Sequence, residues 1–109
     1  MATIHADQAL TTLMVTFEVT PETVDHALGI IEPYVRDFIA VQPGFVSSNL
    51  HVSTDRSRIV HYAQWRSQAD FDRFREKAQG RPEIAALKPY NASAKFFDIV
   101  LSLDVPAAS

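Results

Sequence analysis

At 109 residues the chain is long enough for one domain and too short for two, and its 47% hydrophobic and 21% charged residues are those of a globular core, not of a disordered segment. A formal charge of −3, with ten scattered Lys and Arg, offers no field for a phosphate backbone, so no nucleic-acid partner is expected. The lack of cysteine excludes disulfides, thiolate nucleophiles and iron–sulfur centres.

Residues 1–10 read as a loose arm. Met1 to Asp7 has neither the basic region nor the apolar run of a secretory signal, and no later run reaches membrane-spanning length. A cytoplasmic protein with no membrane partner is expected. The folded domain is expected over residues 11–104, with a frayed tail over 105–109.

The first strand is expected from Thr12 to Val19, with Leu13, Val15, Phe17 and Val19 on one face and Met14, Thr16 and Glu18 on the other. Thr20-Pro21-Glu22 carries a capping hydroxyl, a proline at the first helical position and an acid in the first turn. Val24, Ala27, Leu28, Ile31, Val35 and Phe38 then form one apolar helical stripe. Pro33 interrupts it and removes the hydrogen bond to the Gly29 carbonyl, so a bend is expected there.

Gln42-Pro43-Gly44 ends the helix. A hairpin follows, with arms Phe45 to Ser53 and Arg58 to Trp65 around the turn Thr54-Asp55-Arg56-Ser57. Ser67-Gln68-Ala69-Asp70 resembles a capping box, and the next helix should bury Phe71, Phe74 and Ala78 and stop at Gly80. Pro82 to Leu87 predicts a short helix. A last strand is expected over Ala94 to Leu103, with Phe96 and Val100 on one side and Phe97, Ile99, Leu101 and Leu103 on the other.

This order, β-α-β-β-α-β, is that of an α+β, ferredoxin-like fold. Such a sheet has one helix-covered face and one bare face, and large apolar groups on the bare face predict a homodimer closed sheet to sheet.

On the third strand Ile59, His61, Ala63 and Trp65 share a face, so an imidazole and an indole project the same way and could orient an oxygen-bearing aromatic ligand. The plainer reading, which the pattern alone favours, makes Trp65 core and His61 a satisfied half-buried residue. His51 joins their pocket in one hairpin register and faces away in the next, and the sequence leaves that register open. No metal-ligand spacing, strand-turn-helix serine or glycine-rich phosphate loop is present.

The run Gln42-Pro43-Gly44-Phe45, then His51-Val52-Ser53-Thr54-Asp55, then Val60-His61-Tyr62-Ala63-Gln64-Trp65 with Ser67 and Phe71, resembles the antibiotic biosynthesis monooxygenases. The likeness is greatest to the cofactor-free anthrone and naphthacenone oxygenases of aromatic polyketide pathways, and it extends from about Leu13 to Leu103. The resemblance implies a dimeric α/β barrel. It also implies a pocket between sheet and helices, walled here by Phe17, Tyr34, Phe38, Phe71 and Phe74, and oxidation of a phenolic substrate to a quinone by O₂ without a cofactor.

The family's strand tryptophan falls on Trp65 and its pocket asparagine on His61, which as an imidazole could act as a base. His61, Trp65 and His51 are therefore the expected catalytic residues. Phe71 stands where some relatives carry tyrosine, and Ala85 or Ala86 where they carry a basic residue. The haem-degrading branch is disfavoured, because residues 13–19 contain no asparagine and residues 68–79 no histidine. The alternative is a non-catalytic small-molecule-binding module, or a polyketide cyclase, on the same scaffold.

Overall fold

The structure, a computed structural model, describes residues 10–105. The expected arm therefore lies outside the described residues apart from Leu10, and the tail beyond Val105 does too. Four strands form one antiparallel sheet: β1 (Thr11–Glu18), β2 (Phe45–Val52), β3 (Arg58–Trp65) and β4 (Ser93–Phe97), in the spatial order β2-β3-β1-β4. Three helices accompany it, α1 (Val24–Tyr34), α2 (Gln68–Ala78) and α3 (Pro82–Ala86). The ferredoxin-like order predicted from the sequence is the order observed.

Helix α1 starts at Val24 and not straight after Thr20, yet Val24 N–H donates to the Thr20 carbonyl at 2.9 Å, so the first turn still hangs on Thr20. Helix α1 continues through Pro33 to Tyr34, and the irregularity comes just after it. From Val35 to Ile39 the chain widens into a π turn, in which Ala40 N–H donates to the Val35 carbonyl at 2.9 Å. One extra residue in the turn rotates the stripe, so Ile39 enters the core while Phe38 is only half-buried.

Gly44 has φ +84°, and a Cβ there would overlap the Asp70 side chain. That contact seats the start of β2 against the cap of α2. Ser67 Oγ accepts from Asp70 N–H at 3.1 Å and donates to Asp70 Oδ2 at 3.0 Å, so the capping pair closes through the aspartate side chain.

The hairpin turn is held by Asp55, whose carboxylate accepts from the Ser53 and Ser57 hydroxyls, each at 2.7 Å, and from Ser57 N–H at 3.0 Å. These bonds hold the Asp55 carboxyl below its ordinary pKa, the Ser53 hydroxyl contributing most. The pairing above the turn places Leu50 opposite His61 and His51 opposite Val60. A bulge at Val46 then shifts the register, so that Phe45 faces Trp65.

The last strand is shorter than expected: it ends at Phe97, not at Leu103. Its register pairs Phe97 with Thr12, so a continuation would put Ile99 opposite Leu10, beyond the start of β1. With no partner strand left, residues 98–105 leave the sheet, and Val100, Leu101, Leu103 and Val105 are exposed.

The open face also differs from expectation. Its rows are Ser47, Gln64, Thr12 and Phe97, then Asn49, Tyr62, Met14 and Lys95, mostly polar side chains, of which Gln64 and Thr12 are buried at 0% and 2% exposed. Ser47 Oγ donates to Gln64 Oε1 at 3.0 Å, and Gln64 Nε2 reaches Thr12 Oγ1 at 3.4 Å. Uncovered apolar area thus lies on the C-terminal segment rather than across the whole sheet. Among the described residues no helix is long and apolar enough to cross a membrane.

Candidate active site

Alternation on β1 and β3 turns Leu13, Val15, Phe17, Ile59, His61, Ala63 and Trp65 toward the helices. Two core clusters form under the helix layer, one around Phe17, Ile31 and Ile59 and the other around Leu13, Tyr34, Trp65 and Phe71. Between them the helix layer and the sheet enclose a cavity of about 520 Å³. Its floor is Leu13, Val15, Phe17, His61, Ala63 and Trp65; its roof comes from Tyr34 and Ile39, from Phe71, Phe74 and Ala78 of α2, and from Leu87. A space of this volume with mainly apolar walls suits a ligand of several fused rings.

Trp65 is 1% exposed and anchors an aromatic wall. Phe74 stacks on it at 5.0 Å between centroids, and Phe45 and Phe71 meet it edge-on at 5.6 and 5.9 Å. Phe71 in turn meets Phe96 edge-on at 5.2 Å, so ring packing extends this wall onto β4.

Tyr34 also contributes its ring, but its hydroxyl is buried without a hydrogen-bond partner in the described structure. Burial, reinforced by the Glu83 charge and partly offset by Arg81, pushes its pKa up. Of the expected wall residues, Phe17, Tyr34, Phe71 and Phe74 line the cavity and Phe38 does not. Phe38 instead stacks on Tyr34 at 5.4 Å, and the Arg81 guanidinium lies over its ring at 4.2 Å from the centroid.

His61 is the polar centre of the floor. It is 7% exposed, and burial alone lowers its pKa to about 4, so the ring is neutral at pH 7. Among the described residues the one side chain hydrogen-bonded to it is Ser48, whose Oγ meets His61 Nε2. Ser48 lies two positions before Leu50, the residue opposite His61, and so shares its face across the hairpin.

This contact fixes what the imidazole can do. With Nε2–H donating to Ser48, Nδ1 is a free acceptor; with Ser48 donating to Nε2, Nδ1 carries the proton and can only donate. Ser48 was not singled out by the sequence, because the pairing lies in the register of the hairpin.

His51 does not join this site. It sits opposite Val60 on the other face of the sheet and is exposed, as the one-residue alternation of a strand requires. Sequence reasoning also missed Arg75, Lys88 and Asn91, which line the cavity near its opening, whereas neither Ala85 nor Ala86 reaches it. Among the described residues no three His, Asp or Glu side chains converge as metal ligands.

The sequence profile of the antibiotic biosynthesis monooxygenases matches residues 11–81. Tetracenomycin-F1 monooxygenase of Streptomyces glaucescens is 45% identical over 75 residues, a stretch that makes up 65% of this chain and 63% of that protein. The match thus spans less than two thirds of that relative's length. The ActVA-Orf6 monooxygenase of Streptomyces coelicolor, solved in complex with nanaomycin D, superposes with a TM-score of 0.72 at 27% identity, over 89% of this chain and 92% of that one. SnoaB, a cofactor-independent oxygenase from Streptomyces nogalater, superposes with a TM-score of 0.76 over 86% of this chain and 96% of its own, and at 23% identity that likeness concerns the fold alone.

Proposed function

Because this chain belongs to the antibiotic biosynthesis monooxygenase family, we propose that it is a cofactor-independent monooxygenase that converts an anthrone-type polycyclic phenol of an aromatic polyketide into a quinone with O₂. The observation that carries this reading is a cavity of about 520 Å³, walled by aromatic rings, with one neutral imidazole on its floor. Such a site has to bind a flat ring system, accept one proton and keep bulk water away from an electron-rich anion.

The substrate loses a proton from its phenol–methylene system to give a delocalised anion. That anion passes one electron to O₂, and the substrate radical and superoxide combine into a C–O bond. Protonation gives a hydroperoxide, and loss of water leaves the carbonyl of the quinone. Substrate and O₂ in, quinone and water out: no external reductant is consumed.

His61 is the proton acceptor in this reading. Among the described residues lining the cavity His61 is the imidazole, and burial keeps it neutral at pH 7 and able to accept a proton. The tautomer with Nε2–H donating to Ser48 presents Nδ1 as the base. Magnitudes limit the role. Moving a proton from a phenol of pKa about 10 to an imidazole of pKa about 4 costs on the order of 8 kcal/mol with no ion pairing. The anion formed beside the imidazolium offsets part of that, and the remainder fits within the barrier of an enzyme turning over about once per second. Trp65 and Phe74 supply the stacking surface that holds the ring plane.

Oxygen uptake with a hydroxyanthrone, in the absence of flavin and after chelator treatment and dialysis, tests the reaction. Stoichiometric uptake with quinone formation is expected, and binding without uptake would make the protein a carrier instead. His61→Asn restores the family's residue and removes the base, and it is expected to lower kcat/KM on the order of a hundredfold. A small loss would assign His61 to orientation alone.

A further inference from the structure

We infer that the opening of the cavity is a carboxylate subsite, formed by Arg75 of α2 and Lys88, which accepts an ionised carboxyl group carried on the substrate's ring system. The inference deepens the functional reading above and rests on it. Arg75 and Lys88 are exposed, yet both line the cavity whose floor is Trp65 and His61. Among the described residues no Asp or Glu lines that cavity, so the formal charges they bring to it are all positive in a chain whose net charge is −3.

The pairing of the cations separates these two from others nearby. Arg73 is tied to Asp70 and Arg81 to Glu83, whereas neither Arg75 nor Lys88 has an ion-pair partner among the described residues. Their charge is therefore available to a ligand. The Arg75 guanidinium lies 6.0 Å from the centre of the Phe71 ring, which keeps it beside the aromatic wall.

A guanidinium presents a planar fork that matches the two oxygens of a carboxylate, and a lysine adds a mobile point charge. Asn91, in the left-handed conformation at the end of the turn after Lys88, adds an amide to the same opening. A ring carboxylate held here leaves the phenolic end of a polycycle to reach inward to His61. The subsite so sets both which polyphenol is taken and which end enters first.

Binding can be read without turnover, because Trp65 is the only tryptophan and forms part of the floor. The test titrates tryptophan quenching with two hydroxyanthraquinones that differ only in a ring carboxylate against a methyl group. A pH of about 6.5 keeps the carboxylate ionised and the phenols neutral. The carboxylate is expected to bind about tenfold more tightly, with an advantage that shrinks as salt is raised. Arg75→Gln with Lys88→Gln should bring the ratio of the two affinities close to one, and Arg75→Lys should preserve much of it.

Equal binding of the two quinones by the unaltered protein, or an unchanged ratio in the double variant, overturns the subsite while oxygen uptake still stands or falls separately. Absence of quenching by either quinone overturns the subsite together with the reading of the cavity on which it rests.

Discussion

His61 is neutral because it is buried, and that has a cost that can be measured apart from catalysis. In the unfolded chain an imidazole titrates near 6.5, whereas in the folded protein burial holds His61 at about 4. Between these values the unfolded state binds the proton and the folded state does not, so stability falls as the pH drops from about 6.5 to 4 and this contribution is constant outside that window. The difference of about 2.5 pK units corresponds to roughly 3 kcal/mol at most. The lowered carboxyl pKa values of Asp55 and Glu83 act in a more acidic range, where their contribution is lost as they protonate. Urea unfolding from pH 7 to 4.5 should therefore show a decline in the native protein that His61→Asn largely removes. Parallel pH slopes in the two proteins would mean that His61 titrates normally and is not enclosed by the cavity. The comparison of slopes is unaffected by any constant loss of stability in the variant.

At the scale of elements, the turn chemistry contained more than the faces of the strands did. Reading the four-residue turn Thr54–Ser57 closes the hairpin on Ser53 and Arg58, and Ser53 N–H does donate to the Arg58 carbonyl at 2.9 Å. Counting back from that pair puts Leu50 opposite His61 and His51 opposite Val60, so the outward face of His51 and the nearness of Ser48 to His61 follow once the closing pair is known, which the sequence alone left open. The π turn was not legible in the same way. Pro33 announces a bend at the lost bond to the Gly29 carbonyl, whereas the π turn lies beyond it, over Val35–Ile39, where no residue in the sequence marks the extra one that leaves Phe38 out of the cavity. The early end of β4 depends on where β1 begins, a pairing that no local pattern in residues 94–103 encodes.

The Pro-Gly-Phe turn gives a test at this scale. Gly44 and Gly80 share a positive φ, +84° and +80°, but a Cβ at Gly80 meets nothing within 4 Å whereas one at Gly44 meets Asp70. Gly80→Ala should cost about 1 kcal/mol in urea unfolding, from backbone strain alone. Gly44→Ala should cost about 2–3 kcal/mol, because displacing Asp70 also loosens the cap of α2. Equal losses would mean that the cap does not depend on the close approach of Gly44.

For the whole molecule, the sheet and the C-terminal segment make different demands. The sheet face away from the helices carries a polar row, Ser47, Gln64 and Thr12, whose side chains bond to one another and of which Gln64 and Thr12 are already buried within the chain, so alone it gives little apolar area to bury. The segment after β4 is the opposite: Val100, Leu101, Leu103 and Val105 are 68–91% exposed, and Phe96 and Phe97 remain near half exposed. A domain of this size gains more from covering such residues than from leaving them in water, since each large aliphatic side chain is worth roughly 1.5–3 kcal/mol on burial. A second copy of the chain, supplying the same segment in return, would cover them symmetrically. The contact is then expected along the segment after β4, which differs from a barrel held by apolar sheet faces. Sedimentation at micromolar concentration is then expected to give about twice the 12.2 kDa chain mass. Leu101→Asp with Leu103→Asp should shift the protein toward one chain mass, while Tyr62→Ser on the open face should shift it far less. A native protein that sediments as one chain would refute the pairing. Dissociation by Tyr62→Ser but not by the double aspartate variant would return the contact to the sheet face.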